Sequence, residues 1–249
     1  MLTITHKNFR RETFDESCFE ETRRKAEEGN AAAQFRMGLC CFKGCVCGPN
    51  KKNLAALMKQ TVAWKNISAP DSPDEPPFEG SGAQPNPSEG VRWLRRSAEQ
   101  GYMPAQCCLG RALLMGVGVD KDASEGLEWI GKAAERGYPP AQYLLGMSCI
   151  LGNGVEKSPS EGVRWLEEAA RRGHASAQYR LAMCYFDGVG VRENHSTGAK
   201  LLRQAAERGL VAAQQDLAVC YLTGDGVERN LSAAVEWLGK AGPQGSVIP

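Results

Sequence analysis

The 249-residue chain carries almost no net charge, with 30 Lys and Arg set against 29 Asp and Glu. A surface without excess positive charge has little to attract a phosphate backbone, so no nucleic-acid partner is expected. Long apolar runs are missing as well. No stretch reaches the roughly 18–20 apolar residues that span a bilayer, so no membrane insertion is expected. The opening residues, MLTITHKNFRRETFDESCFEE, lack the apolar segment of a secretory signal. Histidine is scarce. His6, His174 and His195 form no ligand-like grouping, two of them sit near helix starts, and no Ser-His-Asp or Cys-His set follows from spacing. Cysteine is plentiful, at ten, but unevenly placed. Without a signal these read as thiols in a reducing compartment, and the expected location is cytoplasmic.

What the chain does have is one phrase repeated every 36 residues. Gln106, Gln142, Gln178 and Gln214 follow alanines at that period, and Gln34 lies two periods before Gln106. A fixed period in this range marks a stack of supersecondary units, each burying its apolar face against its neighbours. Every unit reads as two helices. The second begins after Asn50, Asn86, Asp122, Ser158, Asn194 or Asn230, all residue types that cap free helical N–H groups. Glu89, Glu125 and Glu161 follow three residues later, as in a capping box. Pro87 and Pro159 fall on the first helical position, where a missing N–H costs nothing. Gly29, Gly101, Gly137, Gly173 and Gly209 close the second helix. Gly116, Gly152, Gly188 and Gly224 close the first, with a second glycine two residues on and then Val119, Val155, Val191 or Val227. This G-x-G follows a helix, not a strand, so it is no phosphate loop.

The expected fold is all-α: a right-handed α/α superhelical solenoid of 36-residue helix-turn-helix repeats. Residues 1–29 would hold a capping helix, Thr13 to Glu28. Repeats would follow at 30–66, 67–102, 103–138, 139–174, 175–210 and 211–241, with a tail at 242–249. The second repeat is degraded. Its Pro-rich insert, 67–88, includes ISAPDSPDEPPF, which no regular helix tolerates, yet Phe78-Glu79-Gly80-Ser81-Gly82 keeps the phase of Phe186 to Gly190. Asp71, Asp74, Glu75 and Glu79 there have no base or nucleophile beside them.

Within a repeat, Ala105, Leu109 and Leu113 are spaced i, i+4, i+8 and predict the buried side of the first helix. Trp93, Trp129, Trp165 and Trp237 share one phase of the second helix and are expected in the core. The opposite arc of the first helix is Pro104, Cys108, Arg111 and Met115 in one repeat, then Pro140, Leu144, Met147 and Leu151, then Ser176, Arg180, Met183 and Asp187. Arg36, Leu39 and Lys43 correspond in the first repeat, and Asp216, Val219 and Thr223 in the last. If the first helices line a concave side, Arg36, Lys43, Arg111, Met115, Leu144, Met147, Leu151, Arg180, Met183 and Asp216 face a partner there. Exposed apolar side chains mark interaction sites, and methionine adapts to varied partners.

The phrases PAQYLLGMSCILGNGV with WLEEAARRG, and SAQYRLAMCYFDGVGV, resemble the Sel1-like repeat family, an α/α solenoid related to tetratricopeptide repeats. The likeness covers roughly residues 30–241. It implies a scaffold or adaptor without catalytic residues or cofactors, holding a protein or peptide partner in a groove. One secreted branch of that family carries a disulfide in each repeat; the cysteines here do not recur as such a pair. A second reading rests on CCFKGCVC. Four sulfurs converging tetrahedrally can hold zinc, which would make Cys40, Cys41, Cys45 and Cys47 a zinc or redox sensor. The usual C-x-x-C pairing is absent, and Cys40 and Cys41 share phases with core residues, so packing competes with ligation.

Overall fold

Thirteen-residue helices separated by glycine turns account for most of the described residues. The computed structural model describes residues 20–43 and 85–242, and among them no strand occurs. Helix α1 covers residues 20–27. It is followed by α2 (Ala31–Lys43), α3 (Pro87–Glu99), α4 (Met103–Met115), α5 (Ala123–Glu135) and α6 (Pro139–Leu151). Then come α7 (Pro159–Arg171), α8 (Ala175–Asp187), α9 (His195–Glu207), α10 (Val211–Thr223) and α11 (Leu231–Ala241). Residues 67–84 of the Pro-rich insert, Cys45, Cys47 and the residues before Glu20 lie outside the described residues, while residues 87 and 88 of the insert open α3.

Each helix end has a residue-level cause. Gly101 takes φ 82°, its N–H donating to Ala98 O (2.9 Å) while Tyr102 N–H donates to Ser97 O (3.2 Å). This is a Schellman ending, and it recurs at Gly137, Gly173 and Gly209. The repeated glutamine completes it. Its side-chain Nε2 donates to a carbonyl eight residues earlier: Gln34 to Ala26, Gln106 to Ala98, Gln142 to Ala134, Gln178 to Ala170 and Gln214 to Ala206, at 3.0–3.2 Å. Those carbonyls belong to the last turn of the preceding second helix, which has no intrahelical donors left. The motif residue therefore ties each first helix to the unit before it.

At the start of the second helix, Asn86, Asp122, Asn194 and Asn230 accept a hydrogen bond from the backbone N–H three residues on. Ser158 makes no such bond, contrary to expectation. The capping box also takes another form. The N–H of each cap residue is used across the hairpin: Asn86 to Cys41 O, Asp122 to Leu113 O, Ser158 to Cys149 O, Asn194 to Tyr185 O and Asn230 to Tyr221 O, at 2.8–3.0 Å. With that donor engaged, Glu89 accepts from the Asn86 side-chain amide instead.

Three hairpins cross glycine on glycine. A Cβ on Gly146 would lie 2.8 Å from Gly162 O, and one on Gly162 would lie 2.6 Å from Gly146 O. Helix α3 packs on α2 in the same way, with Gly90 against Gly38 O and Gly38 against Leu94, although residues 44–86 intervene in the chain. Helices assigned from sequence to two different repeats thus form one hairpin.

The chain divides into two units, Met1–Lys132 and Ala133–Pro249. In the first, Phe35, Phe42, Val91, Leu94, Leu109 and Leu113 form the core. In the second, Val163, Leu166 and Leu181 form one cluster, and Leu202, Leu217 and Cys220 another. Burying each leucine contributes about 1.5–3 kcal/mol. Val119 packs on the core of the first unit, and Val191 and Val227 on those of the second, as their position after the glycine pair implies.

Candidate functional site

A first helix is gripped from both flanks. On α4, Ala105, Leu109 and Leu113 are fully buried as their spacing predicts, but Gln106, Cys107 and Cys108 are buried too. Cys108, expected on the open arc, joins the core of the first unit. A helix flanked by two second helices buries a wider arc than a helix packed on one side. The open strip that remains is correspondingly narrow.

The ten proposed partner-facing residues sit on five helices. In the first unit, Arg36 is exposed on α2, Arg111 is half-buried on α4, and Met115 ends α4 with 44 % of its surface exposed. Lys43 closes α2, and its side chain lies outside those described. In the second unit, α6 carries half-buried Leu144 and Met147 and then Leu151, 57 % exposed. Arg180 is exposed on α8, whereas Met183 packs against the cluster around Leu202. Asp216 on α10 is half-buried.

One group of these residues is joined directly. The Tyr179 hydroxyl donates to the Asp216 carboxylate (2.9 Å), and the Arg180 guanidinium lies 5.8 Å from the Tyr179 ring centroid. Burial, reinforced by Asp216, pushes the Tyr179 phenol above its ordinary value. Tyr179 therefore stays a neutral donor that fixes Asp216 and underlies Arg180. It was not singled out from the sequence, although it shares its phase with Tyr143, whose ring stacks on His174 at 5.1 Å. His174 is a buried cap: its Nδ1 accepts from Ala177 N–H (3.1 Å).

Trp93, Trp129 and Trp237 pack against the core clusters as expected, but at their edge. Trp93, Trp129 and Trp237 are only partly buried, and each has a cation over its ring: Arg96 at 4.9 Å, Lys132 at 4.2 Å and Lys240 at 4.0 Å. Trp129 Nε1 also donates to Glu125 (3.1 Å), whose carboxyl is held below its ordinary range by Arg95 first and by this indole second. The second helices use their aromatic stripe as a half-exposed shelf for charge.

A cleft of about 730 Å³ opens between α7 and α9 above α8, lined by Gln178, Leu181, Tyr185, Leu201, Gln204 and Arg208 among others. None of the ten residues lines it.

The thiols point to packing. Cys40 is buried and Cys41 half-buried on α2. Burial pushes the thiols of Cys107, Cys149 and Cys184 above their ordinary value, and that of Cys220 up to about 11. Ligation of zinc needs the thiolate, which burial disfavours. Among the described residues no group of three or more His, Cys, Asp or Glu is placed to hold a metal ion, and no helix is long and apolar enough to cross a membrane.

Stacked helical hairpins with a shared glycine-loop and glutamine-staple chemistry define an α/α repeat protein. The model of the Sel1 repeat matches residues 31–52, 78–102, 104–138, 139–174, 175–210 and 211–246, and the chain belongs to that family. Its first two matched segments contain α2 and α3, the halves of one hairpin. The fold is similar to that of a Sel1 repeat protein from Oxalobacter formigenes, with 23 % identity and a TM-score of 0.69 over 97 % of this chain and 84 % of that one. It is also similar to c5321, a protective antigen of uropathogenic Escherichia coli strains displaying an SLR fold, with 25 % identity and a TM-score of 0.63. The chain covers 49 % of that protein's length, with 92 % of its own residues aligned. No curated protein matches the chain. Proteins built from this repeat generally act as protein-interaction scaffolds, typically without catalysis.

Proposed function

We propose that this protein is a non-enzymatic scaffold whose first helices hold a protein or peptide partner. The observation that carries the reading is the pair Met115 and Leu151. They occupy the same position of successive repeats, one period apart, and both are large apolar side chains left open to solvent at the ends of α4 and α6. Apolar side chains that leave about half of their surface open at one repeat position are suited to an adaptable partner. Arg36 on α2, Arg111 on α4 and Arg180 on α8 add donors on first helices, arginine being common at interfaces. Asp216, fixed by Tyr179, adds an acceptor. Lys43 completes the proposed set on the first unit, and Leu144, Met147 and Met183 complete that on the second.

The test is the double variant Met115→Asp plus Leu151→Asp. Both positions are solvent-exposed, so helicity and melting should stay within the small range of surface substitutions, about 0.5 kcal/mol per site. Proteins captured from the native host by the wild type should be absent with the variant. Undiminished capture by a well-folded variant would refute the assignment of this face.

A further inference from the structure

Three second helices lay an indole on the same kind of floor. Trp93 of α3 packs on the cluster of Ala26, Ala33 and Met37. Trp129 of α5 packs on the cluster that holds Ala98 and Leu109, and Trp237 of α11 on the cluster that holds Ala206 and Leu217. Each indole has a cation over its ring, three residues further along its own helix. On α9 that pair is missing: Leu201 stands at the tryptophan position and Gln204 at the cation position. The floor is kept, as buried Ala170 and Leu181. Ala170, Leu181 and Leu201 all line the cleft of about 730 Å³ between α7 and α9. Thr197 lines it too, at the place of the Glu125 that accepts from the Trp129 indole.

We propose that this cleft binds the tryptophan side chain of a partner peptide, which brings the indole that α9 lacks. Its volume falls in the range of small-ligand sites. The rim carries Glu167 and Glu207 against Arg171 and Arg208, two charges of each sign, so the cleft favours no net charge in its guest. A cation is at hand for the ring face. Arg171 is tied to Glu168, whereas the Arg208 guanidinium makes no hydrogen bond or ion pair among the described residues. A guanidinium placed over an indole is attracted by its ring electrons. The Thr197 hydroxyl can accept the indole N–H, as Glu125 does for Trp129. A peptide is the source, since proteins built from this repeat generally act as protein-interaction scaffolds. The cleft shares none of the ten residues of the proposed partner face, so each site can fail without the other.

The probe is N-acetyl-tryptophanamide, a neutral indole flanked by two amides. Methyl NMR of the full chain should show the Leu181 and Leu201 signals shifting to saturation, with a Kd of about 0.1–1 mM for a ligand of this size. The Leu151 signals, on the other face, should stay in place. Leu201→Trp is the sharper test. It gives α9 the residue that its sister helices carry, so circular dichroism should show it folded, and it fills the site itself. The probe should then bind about tenfold more weakly or worse. N-acetyl-leucinamide should leave the wild-type signals in place up to about 10 mM, since it brings no aromatic ring. Three results would overturn the proposal: wild-type cleft signals unmoved by the probe at about 10 mM, a folded Leu201→Trp that binds it like wild type, or N-acetyl-leucinamide binding as well as the probe. Free tryptophan binding more tightly than the amide would also overturn it, by assigning the cleft to a zwitterionic amino acid.

Discussion

Between α6 and α7 the chain turns back through residues 152–158, whereas between α2 and α3 it leaves at Lys43 and returns at Pro87. The contacts at the two places are the same. Gly162 meets Gly146 O in one hairpin and Gly90 meets Gly38 O in the other. Ser158 N–H donates to Cys149 O (2.8 Å), and Asn86 N–H donates to Cys41 O (2.9 Å). Lengthening the connection from 7 to 43 residues raises the cost of closing it by about 1.6 kcal/mol. Full burial of Leu94, which is covered by α2, contributes about as much or more. Packing therefore decides which helices pair, and one extra period of chain can be inserted between them without changing the partner.

The largest expected effect is at the crossings. Gly162→Val pushes a branched side chain into the Gly146 carbonyl and should cost about 3 kcal/mol in urea unfolding, at the upper end for overpacking. Gly90→Val should cost a similar amount. A tolerated Gly90→Val would mean that α2 and α3 are not held together as α6 and α7 are.

Removing residues 44–79 reduces the α2–α3 connection to GSGAQPN, which repeats the glycine spacing of the seven-residue loops. The shortened chain should unfold cooperatively and gain about 1.6 kcal/mol, by the same closure argument. A loss of stability would show that the insert is part of the fold's support.

The caps differ in a way that separates the hairpins. Asn86 Oδ1 accepts from Glu89 N–H (3.1 Å), so Asn86→Ala should cost about 1 kcal/mol. Ser158 makes no side-chain cap bond, and Ser158→Ala should stay within about 0.5 kcal/mol of wild type. Thermal melts of the two variants compare them directly.

The smallest effect is at the start of α9. Where α3 and α7 begin with proline, α9 begins with His195, whose Nδ1 faces Asp225 and whose Nε2 faces Glu193 (2.9 Å). The ring packs T-shaped against Phe186. Two carboxylates can only accept, so both bonds need the imidazolium. The hydrogen bond to Asp225, then that to Glu193, raises its pKa. A raised folded-state pKa means the contribution is fully present below the unfolded value, about 6.5, and is lost as pH rises through the folded value. The urea midpoint of wild type should exceed that of His195→Gln at pH 5.5, and the gap should close by pH 9. A gap that widens with pH would reverse the assigned sign.

Much of this was legible in the sequence because it depends on local chemistry. The period, the helix pairs, the glycine turns and most caps need only a few neighbouring residues, and the family phrases lie within single hairpins. The pairing of α2 with α3 was not legible, since a connection longer by one whole period leaves every phase unchanged. The staple role of Gln106 and its repeats needed the preceding helix in place. Cys108 was assigned to the open arc because helical spacing shows which residues share a side but not how many neighbours cover it. For the same reason the spacing places the tryptophans at the core without showing that they sit at its edge under a cation. Arg180, Tyr179 and Asp216 come together across two repeats, which no single phrase displays. Val235 has the same kind of side chain as its buried counterparts Val163 and Ala199; only the lack of a following hairpin over α11 among the described residues sets it apart.

Hydrogen exchange at two backbone amides tests the account most directly. Asn86 and Ser158 hold the same place in their hairpins, and each N–H is engaged by a carbonyl of the first helix. If α2 and α3 form a hairpin equivalent to α6 and α7, the Asn86 amide is protected like that of Ser158, far above the rate of an open chain. An Asn86 amide exchanging at the open-chain rate, beside a protected Ser158, would contradict it.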